Sequence, residues 1–221
     1  MQDDEVSTVR RAGEVDPRDA PFLTAMEKQW AARAPSWPGG SPEPGASNED
    51  RARWLLDFAI IDLHSLSVDD WKKLAGELAA FLTPAGTMLY SSRARELQPR
   101  GVRGLQRWLR KGLLMLSFTQ TFLWQIPRNE VVVLQWTRRQ GLGHYTVRQD
   151  QVGAAGEVFR AAVATLLTAV SARFRFCGQC RRPFVGHKRQ TYCTSQCSQA
   201  TRTRRFRTKQ AKSVATRSNP K

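Results

Sequence analysis

Apolar positions recur at helical spacing along most of this chain and cluster as a strand in one short stretch. Phe22, Met26 and Trp30 stand four apart, which predicts a short helix over 21–33. The run Ala34 to Gly45 is dense in proline and glycine and predicts a linker. Ser47 or Asn48 then caps a helix through Trp54, Leu55, Phe58, Ile61 and Leu66. Ser67-Val68-Asp69-Asp70 opens another, with acidic residues in the first turn where the helix dipole favours them. Its apolar face is Trp71, Leu74, Leu78, Phe81 and Leu82, and Pro84 and Gly86 stop it.

The middle of the chain is less regular. Pro99, Gly101 and Gly104 interrupt Ser91 to Leu109, leaving a short helix around Leu105, Trp108 and Leu109. Leu113 to Ile126 fits a helix or a strand equally. Pro127 to Glu130 is a turn, and Val131 to Thr137 is the clearest strand, rich in β-branched residues. Gly141 to His144 turns the chain, and His144 to Arg148 returns as a second strand. Gln151 to Phe174 is the longest helix expected, with Val158, Ala162, Leu166 and Val170 on one face and Phe159, Val163 and Leu167 widening it. It delivers the chain directly to Cys177, so the cysteine-rich segment is expected to be rigidly joined to the helix.

These elements make an α+β protein: a mainly helical domain with a small hairpin or sheet, then a C-terminal cysteine-rich module. The expected division is a disordered region and linker over 1–50, an α+β domain over 51–174, a metal module with a basic helix over 175–212, and a basic tail over 213–221. Asp57, Asp62 and His64 are scattered on a helical surface without a catalytic pattern, so structural or solvated roles are expected for them.

Charge changes the picture. The 35 Lys and Arg against 19 Asp and Glu leave a net charge of +16, and the excess is concentrated at one end. No acidic residue occurs after position 170, where 14 basic residues lie. A field of one sign attracts polyanions. Membrane binding needs a broad apolar face beside the basic one, which residues 198–212 lack, so nucleic acid is the expected partner and membrane is not. No run of 18 apolar residues occurs, and the acidic start Met1-Gln2-Asp3-Asp4-Glu5 lacks a basic n-region.

All 4 cysteines fall between Cys177 and Cys197, as Cys177-x2-Cys180 and Cys193-x3-Cys197. Two short-spaced pairs joined by a loop suit a tetrahedral zinc site, because each local turn presents two sulfurs and thiolates are soft donors. The expectation is one structural zinc ion. Two disulfides would need an oxidising compartment, and a redox-active pair is the other alternative. His187, inside the loop, could replace one sulfur, although four cysteines already close a tetrahedron. Gly178 is expected to supply a positive φ in the first turn. Pro183-Phe184-Val185 is expected as the return strand of a hairpin with Lys188, Arg189 and Gln190 in its outer loop. Thr194 or Ser195 caps the helix bearing the second pair.

Beyond the cysteines, Arg202, Arg205, Lys209 and Lys212 share one face of a helix, and Arg204 and Arg207 lie beside it. These six are the candidate nucleic-acid contacts. Phe206 is expected to fold back on the zinc module near Phe184 or Tyr192. The arginines between Arg93 and Arg110 could extend the surface, though such runs are commonly solvated faces.

The stretch from Cys177 to Lys209 resembles the bacterial CGNR-type zinc finger. The matching features are Cys177-x2-Cys180, Pro183-Phe184, Arg189, Tyr192-Cys193-Thr194-x2-Cys197 and the arginine-rich helix. Directly after the last cysteine that family carries Gly-Asn-Arg, whereas this chain has Ser198-Gln199-Ala200. The resemblance implies a treble-clef module, an N-terminal domain of the ABATE type, and a role as a DNA-binding transcription regulator in the cytoplasm, at the nucleoid. DNA is favoured over RNA. The preceding domain would sense a small-molecule effector or form a homodimer. The rival readings are an adaptor whose zinc module binds an acidic protein, and an enzyme acting on nucleic acid. No paired carboxylates, Ser/His/Asp set or glycine-rich phosphate loop supports the enzyme.

Overall fold

The computed structural model describes residues 20–82, 98–119, 121–126, 130–137, 141–143 and 155–217. Six helices and two small antiparallel sheets make it mainly helical, of the α+β kind: α1 (Ala20–Ala31), α2 (Asn48–Phe58), α3 (Val68–Leu82), α4 (Pro99–Thr119), β1 (Thr121–Ile126), β2 (Glu130–Thr137), β3 (Gly141–Gly143), α5 (Ala155–Ala169), β4 (Phe174–Phe176), β5 (Pro183–Val185) and α6 (Ser195–Arg217). The first sheet has the order β1-β2-β3, and the second pairs β4 with β5.

Aromatic residues from four helices meet at the centre. Trp54 stacks on Phe58 and on Phe81, each with ring centroids 5.4 Å apart. Phe159 of α5 meets Phe58 edge-on at 6.2 Å and Trp108 of α4 at 6.1 Å. Burying each large ring stabilises by about 2–3 kcal/mol, so this cluster outweighs the exposed ion pairs Lys72–Asp69 and Arg53–Asp50, each worth roughly 0–1 kcal/mol.

Local signals explain the helix starts. Ser47 Oγ accepts from the Asp50 N–H at 3.1 Å and caps α2. Ser67 Oγ accepts from the Asp70 N–H at 3.2 Å, and Asp70 accepts from the Ser67 N–H at 3.2 Å, a reciprocal box at the start of α3. Asp62 accepts from the His64 N–H at 2.9 Å and His64 is exposed, both local surface roles.

Several expectations are corrected. The helix from Asn48 stops at Phe58 rather than reaching Leu66, and side chains of α4 satisfy the carbonyls at and just beyond its end. Gln106 Nε2 donates to Phe58 O at 2.8 Å and to Ile61 O at 2.9 Å, and Arg110 Nε donates to Ala59 O at 2.8 Å. Arg110 is thereby a structural residue. Pro99 opens α4 instead of breaking it, at a position where its missing N–H costs nothing. Gly104 faces open space within that continuous helix of 21 residues. Gly141–Gly143, expected as a turn, pairs with Gln135–Thr137 as β3; the return strand 144–148 and the two arginines Arg93 and Arg95 lie outside the described residues. Among the described residues the longest helix is α6; α5 ends at Ala169, and a turn leads from it into β4, while residues 151–154 of the expected helix lie outside the described residues.

Residues 20–50 are folded, not disordered. Helix α1 buries Leu23, Met26 and Trp30. The Pro/Gly segment after it has no regular structure but is pinned at several points. Trp37 Nε1 donates to Glu77 Oε1 at 3.1 Å, and Trp54 Nε1 donates to Glu77 Oε2 at 2.7 Å, so one carboxylate holds two indoles. The Gly39 N–H donates to Asp57 Oδ2 at 3.0 Å. Gly40 has φ +79°, and a Cβ there would lie 2.3 Å from the Asp50 carbonyl oxygen. Only glycine fits that approach. Residues 1–19 lie outside the described residues.

A candidate metal centre joined to a basic helix

Strand β4 leads into Cys177, and β5 returns alongside it, with Phe176 opposite Pro183. The hairpin therefore flanks the first cysteine pair instead of following it. Lys188 and Arg189 lie in a later turn, after β5. The Cys177 N–H donates to Arg182 O, and the Arg181 N–H to Cys177 O, both at 2.9 Å. That tight turn puts Arg181 in the left-handed region, φ 59°. The strained position is thus Arg181; Gly178 is not among the positive-φ residues, and a Cβ there would make ordinary contacts at 3.6 Å.

The second pair comes from the other side. The Gly178 N–H donates to Thr191 O at 2.9 Å, which ties the two halves together. Gln190 staples the loop: its Oε1 accepts from the His187 N–H at 3.2 Å and its Nε2 donates to Tyr192 O at 3.0 Å. Thr194 caps α6, with Oγ1 accepting from the Cys197 N–H at 3.3 Å. Thr201 Oγ1 is 2.9 Å from Gln179 Oε1 and 3.1 Å from Cys197 O, locking the helix onto the first turn.

Four sulfurs converge as a result. Cys180 and Cys193 Sγ are 3.6 Å apart, Cys193 and Cys197 Sγ are 3.7 Å apart, and all four lie within 4.8 Å of one another. A tetrahedron with metal–sulfur bonds of about 2.3 Å has edges of about 3.8 Å, so the group could hold one metal ion. A disulfide would need about 2.05 Å. Cys177, Cys180 and Cys197 are buried and Cys193 is half-buried, which leaves one side for an ion to enter. His187 is exposed and outside the group. Among the described residues no other cluster of this kind occurs.

Crowding the thiols separates their acidities. Cys177 is held far below the ordinary thiol range by the hydrogen bonds from Cys180 and Cys193. Cys180, which gives its proton toward Cys177, is pushed up to about 12, and Cys193 is raised by Cys177 and Cys180. One thiolate is tolerated and further ones repel, so four together call for a cation.

The centre is bolted to the helical body. Phe174, Phe176 and Val185 belong to the main core, while Cys177, Cys180, Phe184 and Cys197 form a small cluster beside it. Arg182 forms an ion pair with Asp57 and donates to Arg33 O at 3.1 Å. Burial raises the Asp57 carboxyl above its usual range, against the opposing pull of Arg182 and the Gly39 N–H. Asp57 is therefore a structural clamp. Trp30 Nε1 donates to Cys180 O at 3.0 Å. Neither Trp30 nor Arg182 carried a sequence signal for this role beyond the amphipathic spacing of α1.

Helix α6 carries the candidate nucleic-acid contacts away from the centre. Thr201 is 5% exposed, and every residue from Arg202 to Ala211 is exposed. That includes Arg202, Arg204, Arg205, Arg207 and Lys209. Lys212 lies on the same helix, its side chain outside the described residues. Phe206 does not fold back; it is 60% exposed, because α6 has left the protein body by then and every residue on it from Arg202 to Ala211 is exposed. The helix continues through Arg217, past the expected start of the tail. Among the described residues no helix is long and apolar enough to cross a membrane.

No family model, curated protein or solved structure matches this chain.

Proposed function

We propose that this chain is a DNA-binding protein of the treble-clef group, similar to the CGNR-type regulators, in which one structural zinc ion organises the C-terminal module. The observation that carries the reading is α6: an exposed helix without acidic residues, anchored at its first turn by the sulfur cluster. Thiolate donors favour zinc over magnesium or calcium, and four of them leave no position for a catalytic water. Bound zinc would supply cross-linking energy and neutralise thiolate charge. Arg202, Arg204, Arg205, Arg207 and Lys209 would then contact phosphates, with register fixed by the rigid junction to the core.

The test is binding of the zinc-loaded chain to duplex DNA across a salt series. Each phosphate contact contributes a slope of about −0.9 in log K against log salt. Replacing Arg202, Arg205 and Lys209 by Ala should flatten the slope by roughly three contacts' worth at unchanged metal content. Unchanged affinity and slope in that variant would refute the assignment of α6. Binding of an acidic protein with no detectable DNA binding would favour the adaptor.

A further inference from the structure

Resting on that reading, we infer that α6 is a major-groove reading helix whose uncharged strip, Gln199, Thr203, Phe206 and Gln210, contacts the edges of A·T-rich B-form DNA. These four follow one another at steps of four, three and four, all exposed. On a 3.6-residue helix they cover an arc of about 60°. Cations border the arc on both sides: Arg202 and Lys209 along one edge, Arg207 along the other.

The strip is also aimed correctly. Cys197 and Thr201 are the buried residues of the first turns of α6 and face the metal centre. The uncharged strip lies on the opposite side of the helix, roughly 190° away at 100° per residue. The protein body thus grips α6 only at its first turns, on the side away from this strip, and beyond Thr201 the helix projects with every residue to Ala211 exposed.

Size and chemistry fit one groove. A helix about 10–12 Å across enters a B-form major groove about 12 Å wide. From Gln199 to Gln210 the strip runs about 16 Å, or roughly 5 base pairs. Cations on both edges then meet the phosphates of both groove walls. Glutamine pairs with the N6 and N7 of adenine, and a phenyl ring meets the methyl group of thymine. An aromatic residue left 60% exposed in a cationic setting acquires an apolar contact in this way. The deep, narrow major groove of A-form RNA would exclude the helix.

The test uses the zinc-loaded full chain and three 20-base-pair duplexes: alternating dA·dT, the same with deoxyuridine for thymidine, and alternating dG·dC. Removing the thymine methyl should weaken binding about fourfold, and dG·dC should bind more weakly than dA·dT. Phe206→Ala should abolish the thymidine/deoxyuridine difference and keep the salt slope. Phe206→Leu, which retains an apolar tip, should preserve part of it. Equal affinity of the native chain for the first two duplexes overturns the inference, as does a Phe206→Ala variant that still discriminates between them. If the alanine variant of Arg202, Arg205 and Lys209 nevertheless loses affinity, the broader reading stands without it. Absence of binding to every duplex at low salt overturns both.

Discussion

The indole N–H of Trp30 donates to the carbonyl oxygen of Cys180 at 3.0 Å, across 150 positions of sequence. Trp30 is 1% exposed and Cys180 is fully buried. Helix α1 is thereby part of the wall of the four-cysteine site. Trp30→Phe keeps most of the ring and leaves that carbonyl unpaired, which should cost about 1–3 kcal/mol. A lower denaturant midpoint and faster metal transfer to a chelator are expected together; no change in either would show that the bond is incidental.

Metal removal should act locally. Structural zinc contributes about 10–16 kcal/mol in small modules, whereas the rings of Trp54, Phe58, Phe81 and Phe159 pack without any ligand. Chelation, or Cys193→Ser, should eliminate the single equivalent of metal and raise amide exchange over 177–201. Exchange in α2, α3 and the aromatic core should stay slow. Retention of a full equivalent by the variant would exclude Cys193 as a ligand.

Three glycines of similar appearance should respond differently to alanine. At Gly178 the new methyl meets its nearest atoms at 3.6 Å, so the effect should stay within about 0.5 kcal/mol. At Gly186 it would lie 2.5 Å from a Phe184 ring carbon and 2.8 Å from Gln190 Oε1, and a loss of about 1–3 kcal/mol is expected. Gly40→Ala should be at least as damaging, since φ +79° and the Asp50 carbonyl both oppose it. Thermal unfolding of the three variants checks the order.

Acid should loosen the start of α3. Asp70 is held below the usual aspartate range by the Ser67 hydroxyl and then by the Ser67 N–H. Its folded-state pKa is thus lower than its unfolded one, so the stability it adds is present above about pH 4. That contribution fades as pH falls through the folded value. Asp70→Asn should therefore melt earlier than the native chain at pH 6, and the gap should close toward pH 3. A gap independent of pH would remove the carboxylate from the cap.

The sulfur cluster is legible in the sequence because spacing alone dictates which chemistry four thiols can perform. The caps at Ser47, Ser67 and Thr194 are legible for a similar reason: each is local. The features that escape a sequence reading depend on distant partners. The carbonyls at the end of α2 are satisfied by Gln106 and Arg110 on another helix. The Pro/Gly segment is ordered by Asp57 and Glu77, whose approach no short window reveals. Pro99 misleads because the same residue breaks a helix inside and favours it at the first position. Phe206 misleads because apolar character points to burial, whereas its place on the helix decides otherwise.

The separation of Trp30 from Cys180 also has a meaning in time. At about 5–20 residues per second, a ribosome needs roughly 8–30 s to add the residues between them. Throughout that interval Trp30 lacks the carbonyl it will meet, although α4, against which α1 also packs, is made well before it. The hydrogen bond that ties α1 to the sulfur cluster is thus a late event, formed only after the first cysteine pair has been made.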